Sequence, residues 1–204
     1  MVTAKDVQKL RQATGAGMMD AKRALTEADG DFDNAKQMLV EQGLADARKR
    51  SGRSQSQGTI GQYIHIQAER PVLGILVELA SETDFVAKSD EFQAAANDIA
   101  MHVAAARPRW VRRDDVPEDA IDMERKVIEA QALNEGKKDD VIPKIVEGKI
   151  GSFYADYVLY DQPFINPEKF KGTVGELVDQ LSAKMGENIG VRRFARLGVG
   201  EEEA

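Results

Sequence analysis

The stretch Thr83-Asp84-Phe85-Val86-Ala87-Lys88-Ser89 sets a carboxylate beside an aromatic ring directly after an apolar run, Val72-Leu73-Gly74-Ile75-Leu76-Val77-Glu78-Leu79. Such a run predicts a strand buried on both faces, and Ser89-Asp90-Glu91 predicts the start of a helix. Thr83 to Lys88 is then the connection between two rigid elements, where recognition residues concentrate. An aromatic beside an acid at a strand exit can probe a pocket on a partner. Asp84 taken as a general acid or base lacks a second convergent group, and a lone loop carboxylate is ordinarily a cap or turn residue. The residues alone leave a partner contact and a local structural role both open.

Other chemistry is sparse. Cys is absent and there are two His, at positions 65 and 102. Disulfides, thiolate nucleophiles and Cys-based metal sites are thereby excluded. His65 reads as a strand residue and His102 as a helix residue, each structural or solvated, with no Ser/His/Asp arrangement around them. No cofactor or metal is expected. Gly15-Ala16-Gly17 follows a helix and lacks a Gly-Lys-Ser/Thr continuation, so it reads as a turn and not as a phosphate loop. In the next pair, a helical phase that buries Met18 turns Met19 about 100° away, which leaves Met19 either core or an exposed apolar contact.

The chain has 204 residues, 42% hydrophobic, with a formal charge of -7. It is long enough for one domain or a small one joined to a larger one. Its apolar runs fall short of the ~20 residues of a membrane helix, and no signal-peptide core is visible, so cytoplasm is the expected location and no membrane partner is expected. The acidic balance argues against coating nucleic acid. Two basic segments, Arg48-Lys49-Arg50 with Arg53 and Arg107 to Arg113 around Trp110, read as solvated linkers, with RNA contact as the rival use. No direct nucleic-acid binding is expected.

The elements that must position these residues follow from periodicity and punctuation. Residues 3–43 read as three short helices: Thr3 with Asp6 as a capping pair before Val7 and Leu10, then Met18, Ala21, Leu25 and Ala28, then Phe32, Ala35 and Leu39, with Gly43 as terminator. Leu44 to Gly58 has no sustained apolar period and reads as linker, helical at most at its start. Thr59 to Ile66 alternates, with Ile60, Ile64 and Ile66 on one face and Tyr63 and His65 on the other, and forms a hairpin with the apolar strand. Phe92, Ala95, Ile99 and Val103 mark a helix that covers the sheet. Residues 117–160 read as a helical hairpin turning at Asn134-Glu135-Gly136. Thr173 and Glu176 cap a helix ended by Gly186, and Asn188 to Leu197 reads as a third strand with Ile189, Val191, Ala195 and Leu197 on one side and Arg192, Phe194 and Arg196 on the other. Glu201 to Glu203 is an acidic tail expected to fray. The fold class is α+β: an N-terminal three-helix module over residues 1–50, a linker over 51–58, and a core domain over 59–204 with a small antiparallel sheet, packing helices and the hairpin at 117–160.

Three motifs in order, Leu10-Arg11-Gln12-Ala13-Thr14-Gly15-Ala16-Gly17-Met18-Met19-Asp20, Ser81-Glu82-Thr83-Asp84-Phe85-Val86-Ala87 and Met185-Gly186-Glu187-Asn188-Ile189, span nearly the whole chain. Together they resemble bacterial elongation factor Ts in its short form, with one core subdomain where the long form has two. The resemblance implies an N-terminal module of the ubiquitin-associated type. It also implies a guanine-nucleotide exchange factor, not an enzyme, that binds elongation factor Tu with GDP and promotes GDP release so that GTP can bind. The turn and second helix start, Gly17, Met18 and Met19, would dock on the nucleotide-binding domain of elongation factor Tu. Thr83, Asp84, Phe85 and Val86 would carry the second contact, with Asp84 and Phe85 intruding near the magnesium and phosphate site. Ala21 and Ser81 stand where some relatives have Cys, so redox regulation through those positions is not implied. The missing second subdomain implies a second copy in a homodimer, unless the hairpin at 117–160 folds over the open sheet face and keeps the chain monomeric.

Overall fold

The computed structural model describes residues 2–201. Of the acidic tail Glu201–Glu203 only Glu201 is among them, so the expected fraying lies outside the described residues, and so does the side chain of Arg48.

Three helices open the chain: α1 (Ala4–Thr14), α2 (Met18–Glu27) and α3 (Phe32–Arg50). Thr3 and Asp6 form the expected reciprocal cap on α1, the Thr3 amide donating to Asp6 Oδ2 at 3.1 Å and the Asp6 amide to Thr3 Oγ1 at 3.3 Å. That leaves fewer orphan amides at the helix start. Gly15 ends α1 with φ of 72°, a left-handed conformation that a side chain resists. Leu10, Ala21, Leu25 and Ala35 meet in a dry centre. Gly43 does not terminate the third helix: α3 continues through it to Arg50. Its role is close approach, because a Cβ at Gly43 would lie 3.0 Å from the Cβ of Ala183. The connection that follows is therefore short, and β1 begins at Gln57.

The sheet has the order β1 (Gln57–Gln67), β2 (Arg70–Ser81), β3 (Gly190–Gly198), antiparallel throughout. Ala68 and Glu69 turn the first hairpin with φ of 48° and 64°, the left-handed pair a two-residue hairpin loop needs. The central strand is not buried on both faces. Ile75, Val77 and Leu79 are fully buried, whereas Leu76 between them is 49% exposed. In β1 the isoleucines point outward as well: Ile60 is 56% and Ile64 49% exposed. An antiparallel sheet needs covering on one side only, and here the helices α5 (Asp90–Ala106) and α8 (Val174–Met185) lie on that one side. At Gly61 a Cβ would come within 2.2 Å of the Ala96 carbonyl oxygen, which is why α5 can lie directly on β1.

Strand β3 departs from simple alternation. Glu78 pairs with Arg193 and Leu79 with Val191, so Arg192 is the extra residue of a bulge. The bulge puts Val191 inward together with Phe194, while Ala195 and Leu197 face out. The expected grouping of Val191 with Ala195 and Leu197 fails for that reason.

Helices α6 (Glu118–Asn134) and α7 (Ile142–Tyr157) form the expected hairpin, closed at Gly136 with φ of 71°. Ile128, Val146 and Ile150 zip its length, and Val116, Phe153 and Val158 hold its base. The hairpin packs on itself and its base, leaving Ile60, Ile64, Leu76 and Leu197 49–75% exposed. It does not fold over the open sheet face. Thr173 and Glu176 cap α8 as expected, and Gly186 ends it with φ of 73°.

Candidate partner-binding site

The connection after β2 is helical. Asp84–Ala87 form a single turn, α4, whose cap is Thr83, its hydroxyl accepting from the Val86 amide at 3.4 Å. In one turn only part of the circumference can face the core, and here Ala87 is buried and Val86 packs against the sheet cluster. The ring of Phe85 is thereby thrown outward and is 85% exposed. Asp84 pairs with Lys88 one turn on, Nζ to Oδ2 at 2.6 Å. The Lys88 ammonium, donating to and facing the carboxylate, holds Asp84 below the ordinary carboxylate range. Ser89 then joins α4 to α5, donating to the Val86 carbonyl at 2.8 Å and capping α5 through the Phe92 amide at 3.4 Å.

A carboxylate from far along the chain braces this corner. Glu187 accepts from the Glu82 amide at 3.0 Å, the Thr83 amide at 3.1 Å and the Thr83 hydroxyl at 2.5 Å. In return Glu82 accepts from the Asn188 amide at 2.6 Å. No local pattern in the sequence announces a pairing across such a separation; the only sign was that Glu187 and Asn188 sit in one of the three motifs.

The second set of expected contact residues lies at the α1–α2 turn. Gly17 precedes α2 in an extended conformation, and the two methionines that follow are both exposed, Met18 at 48% and Met19 at 75%. Met18 is not core. As the first residue of α2 it leans back past the helix end, where no preceding turn covers it, and the buried stripe of α2 is Ala21, Ala24 and Leu25. The turn abuts the end of α8, since a Cβ at Gly15 would meet Lys184 Cγ at 2.8 Å. Lys184 Nζ in turn pairs with Glu91 in the first turn of α5 at 2.5 Å. These contacts link the α1–α2 turn through Lys184 to the first turn of α5, the helix that follows α4.

The remaining candidates resolve differently. His65 is exposed beside Tyr63, its Nδ1 3.2 Å from the Tyr63 hydroxyl. His102 is fully buried. Its Nδ1 accepts from the Ile165 amide at 3.1 Å, which assigns the ring proton to Nε2, 3.0 Å from Gln162 Oε1. Burial lowers its pKa, opposed by the bond to Gln162. Among the described residues no cluster of three or more His, Asp and Glu is placed to hold a metal ion. The basic segment around Trp110, which reads from sequence as a solvated linker, instead straps the hairpin base: Tyr157 O accepts from the Arg109 amide at 2.8 Å, and Leu159 N donates to Trp110 O at 2.9 Å. Its cations lie over rings of the same fold, Arg109 over Trp110 and Arg113 over Tyr154.

Helices over one face of a small antiparallel sheet, a helical hairpin, and apolar side chains exposed at two helix starts define an α+β protein. A family model described as elongation factor TS matches residues 44–181, more than half of the chain. Elongation factor Ts of Carboxydothermus hydrogenoformans is 50% identical over 202 residues, covering 98% of this chain and 90% of the relative. The Ts factors of Acetivibrio thermocellus and Moorella thermoacetica are 46% and 47% identical, each over 98% of this chain and over 91% and 97% of their own lengths. The chain belongs to the elongation factor Ts family of translation elongation factors.

Proposed function

We propose that this chain is a guanine-nucleotide exchange factor that binds elongation factor Tu in its GDP form and promotes GDP release so that GTP can enter. The observation that carries the reading is Phe85, 85% exposed at the centre of the Thr83-Asp84-Phe85-Val86 motif on a braced helical turn. A protein that gains nothing in stability from an exposed ring can use it as a wedge. The physics is linkage: a factor that binds the nucleotide-free partner more tightly than the GDP form weakens GDP by the same factor, about 1.4 kcal/mol per tenfold. No covalent bond is made or broken. Phe85 wedges apart the elements that shape the phosphate and magnesium site, and Asp84 exchanges Lys88 for groups that organise that site. Gly17, Met18 and Met19 supply the docking contact, carried on an N-terminal module of residues 1–50 of the ubiquitin-associated type.

The exposed Ile60, Ile64, Leu76 and Leu197 on the outer sheet face support a homodimer in which a second copy covers that face. No helix among the described residues is long and apolar enough to cross a membrane. The factor acts in the cytoplasm with the translation machinery, and without direct contact to nucleic acid. Release of a fluorescent GDP from elongation factor Tu tests the reading: acceleration at substoichiometric factor is expected, and unchanged release overturns it.

A further inference from the structure

The two backbone amides that leave β2 for the exchange loop have no strand to bond to. Pairing with β1 ends at Ser81 and pairing with β3 at Ala80, so Glu82 and Thr83 run past the ladder. We propose that Glu187 is the positioning residue of this loop, fixing the direction in which Phe85 projects; the inference rests on the exchange reading above and deepens it.

The geometry is that of a clamp. Glu187 Oε2 accepts both orphan amides, at 3.0 and 3.1 Å, and Oε1 takes the Thr83 hydroxyl proton at 2.5 Å. With its proton committed to Glu187, the Thr83 hydroxyl turns a lone pair toward the Val86 amide and caps α4. Glu187 thus sets the cap of the one-turn helix that carries Phe85. The ring is 85% exposed, so the backbone of α4 is what sets the direction in which its Cα–Cβ bond leaves the turn. Such a short turn cannot hold its shape by its own hydrogen bonds.

The clamp closes from the other side through Asn188. Its amide donates to Glu82 Oε1 at 2.6 Å, and its buried side-chain Nδ2 donates to the carbonyls of Ser51 and Arg53 at 3.2 and 2.7 Å. The pair Glu187-Asn188 therefore fastens the exchange loop and the segment that leads from α3 to one point. A wedge whose backbone is held in its working direction loses less freedom on insertion, and that saving appears in the complex where the wedge is inserted, not in the first encounter.

The test separates maximal release rate from half-saturating concentration of factor, using fluorescent GDP on elongation factor Tu. Glu187→Ala is expected to lower the maximal rate about tenfold while the half-saturating concentration moves less than about threefold. Glu187→Gln is expected to recover most of the loss, because its carbonyl oxygen still accepts both amides, and a Thr83 hydroxyl that accepts from its NH2 keeps its second lone pair for the Val86 amide. Glu187→Asp, which keeps the charge but draws it back by one methylene, is expected to behave like the alanine variant and carries the test if the latter folds poorly. Combined with Phe85→Ala, Glu187→Ala or Glu187→Asp should slow release by less than the product of the two single effects, since Glu187 acts mainly through the ring that Phe85→Ala has already removed. Full maximal rates in Glu187→Asp, or a double variant that loses the product of the two single effects, overturn the proposal while leaving exchange intact. A wild-type chain that fails to release GDP overturns the exchange reading and this inference with it.

Discussion

Phe85 and Val86 are neighbours with opposite tasks: Val86 packs on the core while Phe85 stands in solvent. Phe85→Ala should therefore leave the unfolding midpoint almost unchanged, as for surface substitutions generally, and slow saturated GDP release at least about tenfold. Asp84→Ala removes an exposed pair with Lys88, worth little to stability, so a rate loss without a stability loss is expected there too. Stopped-flow release beside a thermal melt checks both, and undiminished rates in both would falsify the wedge. His102 gives a prediction of another kind. Its folded-state pKa lies below the ordinary value because it is buried, so the folded protein binds fewer protons than the unfolded chain as the pH drops. The associated stability is present above about pH 6.5 and is lost as pH falls through the folded value. Protonation would also turn Nδ1 from acceptor into a donor facing the Ile165 amide. Melting at pH 7.5 and 5.5 should show a drop that is smaller in His102→Gln; equal drops would remove His102 as its source.

Helix caps and turns were legible because their chemistry is local. Thr3 with Asp6, Thr173 with Glu176, and Gly186 each declare an end within four residues, and each is found in that role. What stayed hidden depends on a neighbour. Gly43 reads as a stop until Ala183 is seen beside it, and β2 reads as buried twice over because its apolar run says nothing of which face has helices on it. The one-residue bulge at Arg192 reverses the faces of β3 without a signal in the alternation itself. At the candidate site, type and spacing put Asp84 and Phe85 in a connection and turned Met19 away from Met18 but left the use of all three open, while the Glu187 brace, set by folding, could not be read at all. Met19 is 75% exposed on the start of α2, so Met19→Asp should leave helicity and melting unchanged. It should weaken binding to elongation factor Tu by at least about tenfold, since a carboxylate buried unpaired in an apolar contact costs several kcal/mol. Binding measured by calorimetry with circular dichroism alongside decides this. Full affinity would place the contact elsewhere, and lost helicity would contradict the exposure. Removal of residues 1–50 should reduce affinity at least as much. The sheet domain should still melt cooperatively, because its inner face is covered by α5 and α8 from its own side.

Taken whole, the molecule has a one-sided architecture: helices cover the inner face of a three-stranded sheet, and the outer face ends in Ile60, Ile64, Leu76 and Leu197. The hairpin of α6 and α7 is committed to its own zip and to the strap at its base, so nothing among the described residues closes that face. Apolar side chains gathered on a flat sheet face match a second copy of the same face, because a two-fold axis makes each surface its own complement and two sheets stack with side chains interdigitating. A dimer formed this way leaves α4 and the methionine turn free, since neither belongs to the sheet, and two copies of elongation factor Tu can then be engaged at once. Light scattering at micromolar concentration should give a mass near twice the 22.5 kDa of one chain. Leu76→Asp should halve it without unfolding the protomer, because Leu76 is already 49% exposed there and only the paired state desolvates the new charge. A wild-type mass near 22.5 kDa would mean that the sheet face stays open in solution. Exchange by a single copy would then rest on α4 and the methionine turn alone.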